Sequence, residues 1–284
     1  YDRKLIPLIE LADIIKFDFR LTPIDKIQRA IHALSHYDIE FLAEKVETND
    51  EFIQAAKLGF TYYQGYFFAR PETIRIKELT SSQFNLLNLL VEINKKEVST
   101  EKMTAIISSD VALSYKLLRY INSAYFYLVN EISSIHHAVT YLGEDEIRRF
   151  VTLAALSKIS ASKPGELIKL AAVRAKFCEQ LAMASPLTIN PQETFMLGLF
   201  SLLEAMLDTP IEETIEKMPL SPETRNALLH KGGAISAFLD AVVAYEMRDK
   251  DTCALALRKL RVPVKHVLPL YLKAIRFADT LMAL

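Results

Sequence analysis

Three short stretches set charged or amide side chains among residues that otherwise read as buried strand. They are Ile14-Ile15-Lys16-Phe17-Asp18, Phe41-Leu42-Ala43-Glu44-Lys45-Val46 and Tyr62-Tyr63-Gln64-Gly65-Tyr66-Phe67-Phe68. Polar groups placed in such strands need a partner or a task, because burying them alone is costly. Lys16, Asp18, Glu44 and Gln64 would together offer one pocket an ammonium, two carboxylates and an amide. The competing reading is a buried Lys–Glu pair kept for structure. A second group lies further along the chain. Arg119, Arg148 and Arg149 could form an anion site or stand on solvated helix faces, and Asp110 is placed to cap a helix. Asn122, Ser123 and Tyr125 close that helix, where Asn and Ser are common for local hydrogen-bonding reasons. Asn122, Tyr125, Arg148 and Arg149 are the candidates for a shared surface.

The elements that must position the first group alternate. Strands are expected at 13–19, 39–46 and 61–68, with helices at 24–36 and 49–58, the second stopped by Gly59. Ile24, Ile27, Ile31 and Leu34 share one face of the first helix. Strand–helix repetition with short links predicts parallel βα units. A period of two puts Ile14, Lys16 and Asp18 on one side, with Leu42, Glu44 and Val46, and with Tyr62, Gln64 and Tyr66. In a βα barrel, inward groups near strand C-termini form the active-site mouth. Lys16-Phe17-Asp18, Ala43-Glu44-Lys45-Val46-Glu47-Thr48 and Gln64-Gly65-Tyr66 resemble the last three strands of the EAL domain, a barrel that hydrolyses cyclic di-GMP. The resemblance covers about residues 5–75. It implies that Lys16 matches a lysine near the attacking water, Glu44 an acidic site residue, and Gln64 a glutamine near metals and substrate. The family's signature strand and paired aspartates have no counterpart here, and Lys45 stands where the family places glycine. Hydrolysis would need a divalent metal to polarise the phosphate, so no activity is expected of these residues alone.

From residue 80 onward the pattern is helical, and no strand is expected. Thr80 to Gln83 reads as a capping box, while Asn190-Pro191-Gln192-Glu193 and Ser221-Pro222-Glu223 open further helices. Helices are expected at 81–94, 99–108, 110–122, 133–142, 144–159, 164–184, 191–208, 221–229, 233–247, 249–260 and 263–282, forming an all-α bundle. Residues 110–126, DVALSYKLLRYINSAYF, and 132–156, ISSIHHAVTYLGEDEIRRFVTLAAL, resemble the HDOD domain, a relative of the HD and HD-GYP metal-dependent phosphohydrolases. Those relatives use a His-Asp pair on one helix as metal ligands. No His-Asp dipeptide occurs in this chain, and Leu197 to Leu203 stands where it would fall. His136 and His137 are adjacent, so on a helix they diverge and make a poor paired site. No metal ligand set, cofactor or catalytic residue is expected, and neither Cys178 nor Cys253 has a readable His partner.

The expected architecture is therefore an α/β fragment, the last three βα units of an EAL-type barrel at 1–75, followed by an all-α HDOD bundle at 80–284. With 51% apolar and 24% charged residues the chain is globular, and a net charge of −1 does not point to nucleic acid. No apolar run spans a membrane and no signal-peptide pattern opens the chain, so a reducing cytoplasm is expected. The chain opens on Tyr1 in structured-looking sequence, as a piece of a longer protein would. The resemblances imply a non-catalytic bacterial regulator linked to motility and cyclic di-GMP. It would bind other signalling proteins, with cyclic di-GMP a ligand of a complete EAL domain. The alternative is a cyclic di-GMP phosphodiesterase whose metal-binding half precedes these residues. A nucleotide-sensing HD-type hydrolase is a more distant one. Three βα units cannot cover their own apolar faces, so the helical part or a second copy in a homodimer is expected to supply cover.

Overall fold

The computed structural model describes residues 5–65, 86, 89–94, 98–216, 218, 220–230 and 232–283. The chain divides into two compact units, Tyr1–Thr73 and Ile74–Leu284. In the first, α1 (Ile6–Ile9), β1 (Ile14–Asp18), α2 (Ile24–Leu34), β2 (Glu40–Glu44), α3 (Asn49–Lys57) and β3 (Tyr62–Gln64) follow one another. The strands form a parallel sheet in the order β1-β2-β3, with Asp18 opposite Glu44 and Glu44 opposite Gln64. One sheet face carries Phe41 and Ala43 into a core with Ile27, Val46, Ala55 and Phe60, and Ile15, Phe17 and Tyr63 pack against it. Phe17, Phe41 and Phe60 meet edge-on at centroid distances of 5.7–6.2 Å. Thr48 accepts from the Glu51 N–H while the Glu51 carboxylate reaches back to Thr48 N, a reciprocal cap that starts α3.

The second strand is shorter than its apolar pattern implies. Lys45 adopts φ 59°, a left-handed conformation that a strand cannot contain, so β2 stops at Glu44. The alternation resets there. Val46 is fully buried in the core, which corrects its expected place on the Leu42–Glu44 face. A Cβ at Gly65 would fall 1.8 Å from Val46 O, so only glycine lets the two backbones approach this closely. The expected end of the third strand, Tyr66 to Phe68, and the Thr80–Gln83 cap lie outside the described residues.

Among its described residues the second unit contains helices and connecting segments and no strand. Of the expected helix 81–94, residue 86 and residues 89–93 are described as helical. After them come α4 (Thr100–Ser108), α5 (Val111–Ile121), α6 (Ile135–Ile159), α7 (Gly165–Ala184), α8 (Pro191–Phe200), α9 (Leu203–Leu207), α10 (Ile211–Ile215), α11 (Pro222–Leu228), α12 (Ser236–Glu246), α13 (Lys250–Leu260) and α14 (Val267–Met282). Caps begin many of them: Asp110 accepts from Leu113 N, Asn190 from Gln192 N and Ser221 from Thr224 N. The α6 run breaks at Gly143, with φ 76° and ψ 168°. The single helix expected at 191–208 is instead two, α8 and α9. Ser201 Oγ donates to Gly198 O at 2.7 Å and accepts from Arg174 Nη1 at 2.9 Å, tying up the last turn of α8. Gly198 lies against α7, where a Cβ would come within 2.6 Å of Arg174 O. Among the described residues, no helix is long and apolar enough to cross a membrane.

Candidate functional site

At the C-terminal ends of the three strands, sequence spacing brings most of the expected group together. Lys16 Nζ forms an ion pair with Glu44 Oε1, and the two side chains are 52% and 27% exposed, so the pair sits on an open face instead of in a core. Gln64 is beside Glu44 in register. Asp18 turns elsewhere: its Oδ2 lies 2.5 Å from Lys45 Nζ, and its Oδ1 accepts from Arg20 N at 2.9 Å and Leu21 N at 3.1 Å. The Lys45 ammonium, with these N–H groups, holds the Asp18 carboxyl below its ordinary range. Each carboxylate thus has its own lysine. Among the described residues no group of three or more His, Cys, Asp and Glu is placed to hold a metal ion. The donor set that the EAL resemblance implies does not fit the residues present, and no chemical step is derived through a metal.

In the helical unit the four candidates do not form an exposed surface. The Asn122 amide is consumed by the chain itself: Nδ2 donates to Leu118 O at 2.9 Å and Ile132 O at 2.8 Å, while Oδ1 accepts from Ile132 N at 2.8 Å. This clamps the segment after α5 to that helix's last turn. Tyr125 is half-buried and packs its ring on Phe126 and Phe277, at centroid distances of 5.0 and 6.1 Å. Burial first, then the nearby Glu146 carboxylate, pushes its phenol up to about 12. Arg148 is 5% exposed and donates to Ile93 O, with Glu144 at 3.7 Å. Arg149 pairs with Glu146 at 2.8 Å and with Glu179, and its guanidinium lies 5.5 Å from the Phe195 ring. Solvated helix faces are therefore excluded for these two arginines. Arg119 is exposed and donates to Ala283 O at 2.9 Å, so the three arginines serve three different acceptor sets and make no common anion site.

What the sequence reading missed is a buried charge network. Every residue from Ala171 to Glu179 in α7 is buried, including Arg174, Lys176 and Glu179. Lys176 Nζ lies 2.6 Å from Glu179 Oε2 and 4.9 Å from the Phe277 ring centre. Glu146 accepts from Tyr120 OH at 2.6 Å, linking α5 to α6, and Arg149 carries the network on to Glu179 of α7. Burial, more than the Glu146 charge, raises the Tyr120 phenol far above its usual range. Nearby, Arg174 meets Glu246 through two nitrogens, at 2.6 and 3.2 Å. Lys163 meets Asp208 at 2.7 Å, with both side chains under a tenth exposed. The legible signal was α7 itself: a helix with Ala, Leu, Val and Phe on every side is buried, and its charges must be paired. In the stretch where the resemblance led a His-Asp pair to be looked for, Leu197, Leu199, Phe200, Leu202 and Leu203 are all buried apolar side chains. His136 and His137 are both exposed.

Comparison with known proteins supplies what this geometry alone does not. The HDOD domain family matches residues 81–229. The chain is 40% identical over 209 residues to the Vibrio cholerae protein named cyclic di-GMP phosphodiesterase CdgJ, a match covering 74% of this chain and 48% of that protein. It is 33% identical over 278 residues to the uncharacterized protein YuxH of Bacillus subtilis, covering 97% and 67%. The chain thus spans about half the length of the Vibrio relative. Among solved structures, an HDOD domain protein with unknown function from Geobacter sulfurreducens is 17% identical with a TM-score of 0.45, over 76% of this chain and 91% of that one.

Proposed function

Because the chain belongs to the HDOD domain family, we propose that it is a regulatory protein of a cyclic di-GMP signalling network, acting by binding other signalling proteins. Residues 1–75 are, in this reading, the end of a degenerate EAL domain. The observation that carries a binding role is the segment between α5 and α6. The Asn122–Ile132 clamp fixes it, yet it presents Tyr127 at 87% and Val129 at 96% exposure. Large apolar side chains held out on an anchored loop suit a protein contact, because little ordering is left to be lost on binding. A non-catalytic role is supported by the ion-paired Asp18 and Glu44 and by the apolar Leu197–Leu203 stretch. The name of the Vibrio relative favours a second reading, a cyclic di-GMP phosphodiesterase whose metal-binding strands precede these residues. The test is to incubate the chain with cyclic di-GMP and Mg²⁺ or Mn²⁺ and to follow the linear dinucleotide by chromatography. No turnover above a buffer blank is expected, and steady turnover sinks the non-catalytic reading.

A further inference from the structure

A cavity of about 830 Å³ opens among α12, α13 and α14, beside the Glu246 that pairs with Arg174. Its walls are mostly apolar, with Cys253, Leu257, Val267 and Leu268 among them, and it also takes in the Tyr245 and Tyr271 rings, which meet 5.0 Å apart. Its volume is within the range of roughly 300–1,000 Å³ found for small-molecule sites. Four charged groups besides these line it: Glu246, Arg248, Asp249 and Lys250. The two acids are already committed. Glu246 is locked in its two-nitrogen contact with Arg174, and Asp249 caps α13 by accepting from Thr252 N at 3.1 Å. Arg248 and Lys250 form no ion pair among the described residues; with Glu246 offset by Arg174 and Asp249 still a carboxylate, the lining is left with one positive charge in excess. Arg248 also sits at φ 58°, where glycine would be free of strain and arginine is not.

We propose that this cavity binds a small amphipathic anion: an aromatic or acyl body against the tyrosines and aliphatic walls, with its acidic head on Arg248 and Lys250. The exposed apolar side chains of Val264 and Leu268, at 68% and 56%, extend the apolar wall toward solvent and match a body of this kind. The site is independent of any role in cyclic di-GMP signalling.

The probes are 8-anilinonaphthalene-1-sulfonate, followed by fluorescence, and decanoate as competitor. The full chain is expected to show one saturable site from which decanoate displaces the dye. Arg248→Gly should weaken dye binding about tenfold, as for loss of one charge-assisted hydrogen bond. Its melting temperature should hold or rise, since glycine suits that backbone. Leu268→Glu, at an exposed wall position, should weaken binding comparably by setting a carboxylate against the anion, and Lys250→Gln provides a second cation variant. Equal binding by wild type and all three variants, or no saturable site, overturns the assignment.

Discussion

Asn122→Ala is expected to destabilise the helical unit severely for a residue that is neither apolar nor fully buried. The Ile132 N–H and carbonyl both bond to the Asn122 side chain, at 2.8 Å each, and Ile132 is 4% exposed. Leu118 O keeps the Asn122 backbone N–H at 3.2 Å, so it is not orphaned by the change. Two buried backbone groups are left without a partner, at about 1–3 kcal/mol each, which gives about 2–6 kcal/mol. That is a large share of a total stability of order 5–15 kcal/mol. Asn122→Asp makes a sharper companion: it keeps the acceptor for Ile132 N but turns a second carboxylate oxygen toward the Leu118 and Ile132 carbonyls, so it should cost at least as much. Equilibrium urea unfolding of the three proteins reads the difference directly. A loss below about 1 kcal/mol for both variants would refute the clamp and return Asn122 to the class of surface groups, whose substitutions stay near ±0.5 kcal/mol.

Gly65→Ala should open the end of the small sheet, because its Cβ would fall 1.8 Å from Val46 O; amide exchange at Val46 N, bonded to Gln64 O at 3.0 Å, should rise sharply. Arg174→Met should cost about 3–5 kcal/mol by stranding the buried Glu246 carboxylate, and adding Glu246→Leu should recover most of it; a double-mutant cycle in thermal unfolding measures both. Asp110 has a folded pKa held below its unfolded value, chiefly by the Lys158 ammonium and then the Leu113 N–H. Its stabilisation is therefore present above about pH 4 and lost as pH falls through the lower, folded value, so the stability gap between wild type and Asp110→Asn should close over that acid range.

The βα rhythm of the first unit was legible because two different periods, two and 3.6, alternate there, with Gly59 marking the end of α3. Where the reading failed, a single backbone angle was responsible. Lysine itself has no preference for the left-handed region, and the sign that position 45 needs it was the glycine that the EAL resemblance places there. One such residue shifts the parity of everything after it, so Val46 moved to the core while Leu42 and Glu44 did not. The Ser201 break is of the same kind. A serine inside an apolar run looks like a tolerated helix residue until a partner as remote as Arg174 is found to hold its hydroxyl.

The buried charges mark a deeper limit. Helical periodicity assigns a residue to a face, but it does not tell how many faces are covered. Of the residues at helical spacing in α6, Ile147, Phe150, Val151 and Ala155 are buried and Ala154 is half-buried, yet Arg148, Thr152 and Leu153 are buried as well. The burial of Arg148 and Arg149 follows from their neighbours: one reaches the Ile93 carbonyl and the other Glu179 on α7. Glu246 and Arg174 are 72 residues apart, a separation that no local pattern encodes. Such pairs are also weak sources of net stability, because desolvation offsets their attraction. What they do impose is a cost on mispacking: an arrangement that parts α7 from α6 or α12 strands Glu179 or Glu246 without its arginine. Arg148 and Arg149, which the sequence allowed on solvated helix faces, are therefore among the groups whose partners tie neighbouring elements together.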